Sequence, residues 1–401
     1  MFFYLFFIVC AKMIRKTKHN QQVQDYFDRY YSRHCFIVIH SYNIRKSAEI
    51  EWLVRFSFAC RDKQCDLIIV DEHLVVTPGQ VLHGISLSQF PIEEYITVIS
   101  LHPKHIKTTA HRTLLTCWLP VTHMIPFLEG LTTFDGYLSG YSFVIDKFIQ
   151  SVTVDDKDYY GYLSPSVPKS SLLPIRRNWK NLRIFYCSTK YWNTRTNSFQ
   201  SIRNDTLELV KALDEHGWTK IYGPRNQYQT DDVLTWYGFR TYFGELPFDG
   251  VSVIREIADC GLCLVSPSVH QNRSEICSMQ LFDAIAAGVP ILCTPNPFIE
   301  WWFRDNVFVI RGDNVEQRTA CVQQHMDYIV DHPMEVHEKM SNCRRIFNDY
   351  FSLDGQIDRF LQYIPPSGGE GVSIRPISPP TPTRLPPSPP TPSPQTPTPP
   401  P

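Results

Sequence analysis

Charge of one sign is what this chain most lacks. Across 401 residues, 39 Lys and Arg stand against 40 Asp and Glu, a formal net charge of −1. The basic residues are scattered, so neither nucleic acid nor an anionic membrane surface finds an electrostatic match. Neutral partners or locally bound anions are expected instead. A disulfide framework is also missing: twelve cysteines occur without framework spacing. The pair Cys260 and Cys263 leads into an apolar strand, with no second pair or His at zinc spacing. Core thiols are therefore expected, and no metal site. Nor does any terminal apolar run suffice to cross a bilayer. Phe2 to Ala11 is about half the roughly twenty residues a spanning helix needs. Its basic cluster, Lys12, Arg15, Lys16 and Lys18, follows the apolar run, whereas a signal peptide carries its charge first. That segment can touch a membrane without crossing it. Sequons stand at Asn204 and Asn272, the second three residues before Glu275, where a glycan would crowd the site argued below. With the scattered thiols this favours a reducing, cytoplasmic compartment.

What is present is enough apolar sequence, 43%, for two packed cores, and a chain too long for one. Residues 1–19 form the apolar and basic extension. Residues 20–150 read as a small α/β domain, with apolar runs at Cys35–Ile39, Leu67–Val70, Ile96–Leu101 and Ser142–Ile145. Between the first two, Ala48 to Cys60 repeats apolar residues at helical spacing. His40 and His102 stand where runs end, as residues lining a cleft do. Residues 151–180 accumulate Asp, Ser and Pro and read as a linker. The D-x-D of Asp156 and Asp158 falls there without a flanking strand and is read as chance. Residues 181–335 alternate strand and helix regularly, the pattern of a parallel sheet covered on both faces. Residues 336–364 are helical. Residues 365–401 are a Pro-rich tail, disordered or polyproline II, a spacer or a ligand for an aromatic groove.

The stretch from Gly261 to Glu300 is the most informative. It reads as a strand (Gly261–Val265), a polar loop carrying Ser266, Ser268 and His270, a helix from about Glu275 to Ala287, and a strand at Pro290–Cys293. Ligands of an open α/β sheet sit beyond the carboxyl ends of strands, where this loop falls. On one helix Glu275 and Asp283 would lie ~12 Å apart and on broadly the same side. That separation suits the sugar and ribose ends of a nucleotide-sugar. Free amides near Ser278, Met279 and Gln280 suit the diphosphate between them. The same residues also fit a plain amphipathic helix with Ile276, Met279, Phe282 and Ala286 as its apolar face.

Ser266-Pro267-Ser268, followed by E-x7-D-A-I-A-A-G-V-P-I from Glu275, resembles the signature of retaining GT-B glycosyltransferases of the family 4 type. Their usual form carries Glu at the second acidic position. The Tyr222-Gly223-Pro224 and Gly244–Pro247 turns fall in the family's order, and the resemblance covers roughly residues 180–310. The Pro/Thr/Ser tail is similar to those of proteins from large algal viruses. The family implies an α/β GT-B fold, two Rossmann-like domains facing across a cleft, with the last helices crossing back to the first. It implies a nucleotide-sugar donor held by the second domain and a glycan, glycoprotein or other hydroxyl acceptor on the first. No further cofactor and no essential metal are implied. Glu275 takes the position beside the donor sugar, as the catalytic residue. Asp283 takes the ribose position, one methylene shorter than the usual Glu. Ser278 stands where the family usually has Gly. Lys190 and Arg195 are candidates for the cations that neutralise the diphosphate. The family's glycine-rich loop in the first domain is not recognisable, which leaves His40 and His102 as acceptor-side candidates. A GT-B-like nucleotide-sugar epimerase and a non-catalytic glycan-binding relative remain as alternatives.

Overall fold

The computed structural model describes residues 21–28, 33–40, 48–93, 95–104, 111–152, 158–188, 192–193, 198–199, 204–223 and 239–363. The N-terminal extension, the Pro-rich tail, Asp156 of the D-x-D pair, Lys190 and Arg195 lie outside them, whereas Asp158, expected to have no flanking strand, opens the strand Asp158–Tyr162.

The first lobe is a six-stranded parallel sheet in the order β2-β1-β3-β4-β5-β6. Its strands are β1 (Cys35–Ile39), β2 (Asp66–Val70), β3 (Ile96–Ser100), β4 (Thr113–Cys117), β5 (Gly136–Ser139) and β6 (Asp158–Tyr162). All five residues of β1, β3 and β4 are buried, as expected of parallel strands covered on both faces. A short antiparallel pair follows β7, β8 (Trp192–Asn193) with β9 (Ser198–Phe199). The second lobe has the order β11-β10-β7-β12-β13-β14, again parallel throughout. Here β7 is Arg183–Cys187, β10 Thr219–Tyr222, β11 Tyr242–Gly244, β12 Gly261–Val265, β13 Ile291–Cys293 and β14 Phe308–Val309. Strand order reverses at β7, with β10 and β12 on its two sides. That makes the gap between the carboxyl ends of β7 and β12 the topological switch point, where open α/β sheets hold ligands.

Several expectations need correction. Ser142–Ile145 begins a helix, Phe143–Val152, and the strand lies earlier, at Gly136–Ser139. Its run of Phe, Val and Ile buries only Ile145 and Ile149, a helical four-residue spacing that a short apolar run does not reveal. The expected linker contributes β6, which pairs with β5, so the first lobe reaches at least Tyr162. Tyr159 and Tyr162 pack into its core and outweigh the polar composition around them. The C-terminal helices divide differently from 336–364. Helix Pro333–Ile346 stays on the second lobe, its Arg344 donating from Nη2 to the carbonyl of Ile285 at 2.8 Å. The chain turns through Phe347–Phe351, and only the helix Leu353–Tyr363 joins the first lobe. There Leu353, Ile357 and Phe360 share a core with Phe36, Trp52 and Phe56. Each such buried side chain stabilises the crossing by about 1.5–3 kcal/mol. Among the described residues no helix is long and apolar enough to cross a membrane, and every described cysteine is free.

Candidate donor site between the lobes

The functional loop is built differently from the single helix expected. Helix Gln280–Ala287 starts five residues later than Glu275. Glu275 itself has φ +50°, in the left-handed region, which no α-helix accommodates. Ser268 caps a short helix, Val269–Arg273, in a reciprocal capping box with Gln271. Ser274 then docks the loop onto the first lobe. Its Oγ accepts the Val121 amide at 3.0 Å, and its carbonyl accepts Ser142 Oγ at 2.5 Å. These two bonds turn the chain out of helix before Gln280. The Glu275–Asp283 spacing along one helix therefore does not exist. The helix ends at Gly288, φ +68°, where a Cβ would lie 2.8 Å from the Ile175 Cα.

A cavity of about 390 Å³ lies between the lobes at the switch point. From the second lobe it is lined by Cys187 at the end of β7 and Ser188 after it, Gly223 after β10, Ser266 and Ser268 after β12, and Cys277 to Gln280 with Asp283. Thr206 Oγ1 stands 2.8 Å from Ser266 Oγ, tying the helix Asn204–Glu215 to this wall. Among the described residues the backbone amides of Ser278 and Met279 have no hydrogen-bond acceptor. They precede a helix whose cap residue, Met279, supplies no side-chain acceptor. Such amides together with the helix dipole favour an anion. The first lobe supplies Glu49, Glu51, Trp52, Trp118 and His123 to the opposite wall.

Seven expected site residues thus converge on one cavity: Gly223, Ser266, Ser268, Ser278, Met279, Gln280 and Asp283. Four others do not line it. Glu275 is half-buried, one residue before Ile276, which does line it. His270 places Nδ1 3.0 Å from Thr122 Oγ1 at the lobe contact, with its ring 5.4 Å from that of His123. His102 packs against Phe127, and burial, helped by the Lys104 charge, pushes its pKa down to about 4. That keeps it neutral near pH 7. His40 is buried at the end of β1.

The strongest electrostatic feature joins the lobes through residues that sequence reasoning missed. Arg55, fully buried on helix Ala48–Asp62, reaches Asp283 Oδ1 with Nη1 at 2.5 Å and Glu51 Oε1 with Nη2 at 2.8 Å. Its Nε donates to the Gly250 carbonyl at 3.2 Å, and the Gly250 amide points at Glu51 Oε2 at 3.3 Å. Gly250 has φ +82°, and a Cβ there would come within 2.8 Å of the Phe58 ring. Burial raises the pKa of both carboxyls, and the Arg55 charge opposes it in each. The i,i+4 spacing of Glu51 and Arg55 is visible in sequence, but their partner 228 residues away is not.

No family model matches the chain, and no curated protein matches it. Solved structures do. One is Anabaena Alr3699/HepE in complex with UDP-glucose, TM-score 0.53, 8% identity, covering 82% of this chain and 98% of that one. Another is sucrose-phosphate synthase from Thermosynechococcus elongatus, TM-score 0.53, 9% identity, covering 82% and 97%. A third is an alpha-glucosyltransferase in complex with UDP and a 13-mer DNA containing a central A:G mismatch, TM-score 0.52, 8% identity, covering 82% and 99%. At such identity the likeness establishes architecture. The chain has the GT-B fold, two Rossmann-like lobes facing across a cleft, as its motif resemblance implies.

Proposed function

We propose that this chain transfers a hexose-like sugar from a nucleoside diphosphate sugar to a glycan or other hydroxyl acceptor, with retention and without an essential metal. One observation carries the reading. At the switch point of the second sheet, one cavity combines the amides of Ser278 and Met279, unbonded among the described residues, with Asp283. Amides at a helix start suit a diphosphate. A carboxylate in the same cavity suits a ribose, whose hydroxyls donate. The solved structures that share this fold include ones with UDP-glucose and with UDP bound, which supports a nucleotide-sugar here.

In this reading the second lobe holds the donor, and Ser266, Ser268, Ser278, Met279 and Gln280 shape its bed. Lys190 and Arg195, which follow β7 in the sequence, are the cations that the motif resemblance assigns to the diphosphate. As the glycosidic bond breaks, charge accumulates on the leaving phosphate, and a fixed cation stabilises that charge more than the ground state. Glu275 acts beside the donor sugar, by its place in the motif. The acceptor meets the first-lobe wall of Glu49, Trp52, Trp118 and His123; its hydroxyl bonds to the anomeric carbon on the face that the nucleoside diphosphate leaves, and its proton passes to the departing phosphate oxygen. The test is transfer by Glu275→Ala on an identified donor and acceptor pair. Loss of transfer with donor binding retained is expected, and full activity would overturn the role of Glu275. Product analysis with acceptor omitted separates transfer from epimerisation, which needs none.

A further inference from the structure

Resting on that donor reading, we infer that Glu51 of the first lobe is a donor-binding residue. Together with Asp283 it accepts the ribose hydroxyls, and Arg55 is the positioning residue that holds the two carboxylates as one surface.

Both acids line the same cavity, although one comes from each lobe. A single guanidinium fixes them: Nη1 takes one oxygen of Asp283 and Nη2 one oxygen of Glu51. The two carboxylates therefore stand within the width of one Arg fork, on residues that both line the cavity. Each carboxylate accepts about four hydrogen bonds. Among the described residues the contacts use one at Asp283 and two at Glu51, which leaves acceptor capacity on both. One cation against two acids leaves this buried group one negative charge in excess when both are ionised. Burial raises both carboxyl pKa values, so the group is stabilised by further donors. A vicinal diol supplies two neutral donors without adding charge, and a second phosphate would be repelled. Asp283 is also one methylene shorter than the Glu of the related motif. A second carboxylate from the facing lobe supplies the reach that the shorter side chain lacks.

The arrangement has a consequence for binding. Since Arg55 and Glu51 belong to the first lobe and Asp283 to the second, ribose recognition requires the lobes to be docked as they are here. Donor binding and lobe docking then support each other.

Isothermal titration of the full chain with UDP, GDP and ADP, each paired with its 2′-deoxy counterpart, tests the inference. Wild-type protein is expected to prefer the ribose form of its nucleotide by tenfold or more. Glu51→Gln, which keeps size and loses charge, is expected to lose most of that preference. Asp283→Asn should do the same. A thermal melt alongside shows each variant folded. If Glu51→Gln keeps the wild-type ratio, Glu51 is not a ribose ligand, although the donor reading stands. If wild-type protein binds no nucleoside diphosphate, the donor reading falls and this inference with it.

Discussion

Arg55 and Asp283 are 228 residues apart in the chain and 2.5 Å apart in space, with side chains 0% and 3% exposed. This pair pins helix Ala48–Asp62 of the first lobe to helix Gln280–Ala287 of the second. It also sets the orientation of the carboxylate on which the donor reading depends. A buried ion pair is weak evidence of net stability, because desolvation offsets much of the attraction. Here its value is geometric: it fixes two acids from opposite lobes in one cavity.

Removing Arg55 would leave Glu51 and Asp283 buried with no cation. Arg55→Met should destabilise the protein by on the order of 3–5 kcal/mol, read as a shift in the urea midpoint. Adding Glu51→Gln and Asp283→Asn to that variant should recover a large part of the loss, since the unpaired charges are then gone. A single variant as stable as wild type would show that the lobes dock without this pair.

Asp146 offers a pH test away from the cleft. Ser139 Oγ donates to its Oδ2 at 2.8 Å, while Oδ1 has no partner among the described residues and is out of contact with solvent. Burial pushes its pKa up to about 6 from 3.8, and the Ser139 bond opposes that rise. The folded state then binds the proton more tightly than the unfolded chain. Stability from this group is present below pH 3.8 and is lost as the pH climbs through about 6. Asp146→Asn should match wild type at pH 3.5, and by pH 7.5 it should melt several degrees higher. Equal melting temperatures at both pH values would contradict the assignment.

The cations at Lys190 and Arg195 are expected to act on the leaving phosphate. Lys190→Ala and Arg195→Ala should each lower kcat by on the order of 10²–10³, with a smaller change in donor affinity. Initial rates should be unaffected by EDTA. A rate abolished by the chelator and restored by a divalent cation would replace this account with metal assistance.

The second lobe was legible because its strands are short apolar runs separated by helices with clear stops, such as Gly217 and Gly288. The convergence of Ser266, Ser278 and Asp283 followed from their places after β12, just before the helix Gln280–Ala287, and on it. The start of that helix was not legible. Ile276, Met279 and Phe282 keep helical spacing across the turn, and nothing in that pattern records the left-handed backbone of Glu275. Two bonds from the first lobe to Ser274 decide it, and tertiary contacts of this kind override local pattern. Glu51 and Arg55 have the i,i+4 spacing of an ordinary pair on one helix. Only long-range packing converts them into part of a shared site. In the first lobe, β4 (TLLTC) has too few residues for its periodicity to distinguish strand from buried helix.

The most direct test of the donor reading is calorimetric titration of the full chain against UDP-, GDP- and ADP-sugars. Saturable binding of one nucleotide-sugar is predicted, competed by its nucleoside diphosphate and weakened tenfold or more by Asp283→Ala in a variant that still melts cooperatively. Absence of binding across the panel, in protein that is folded, would contradict it.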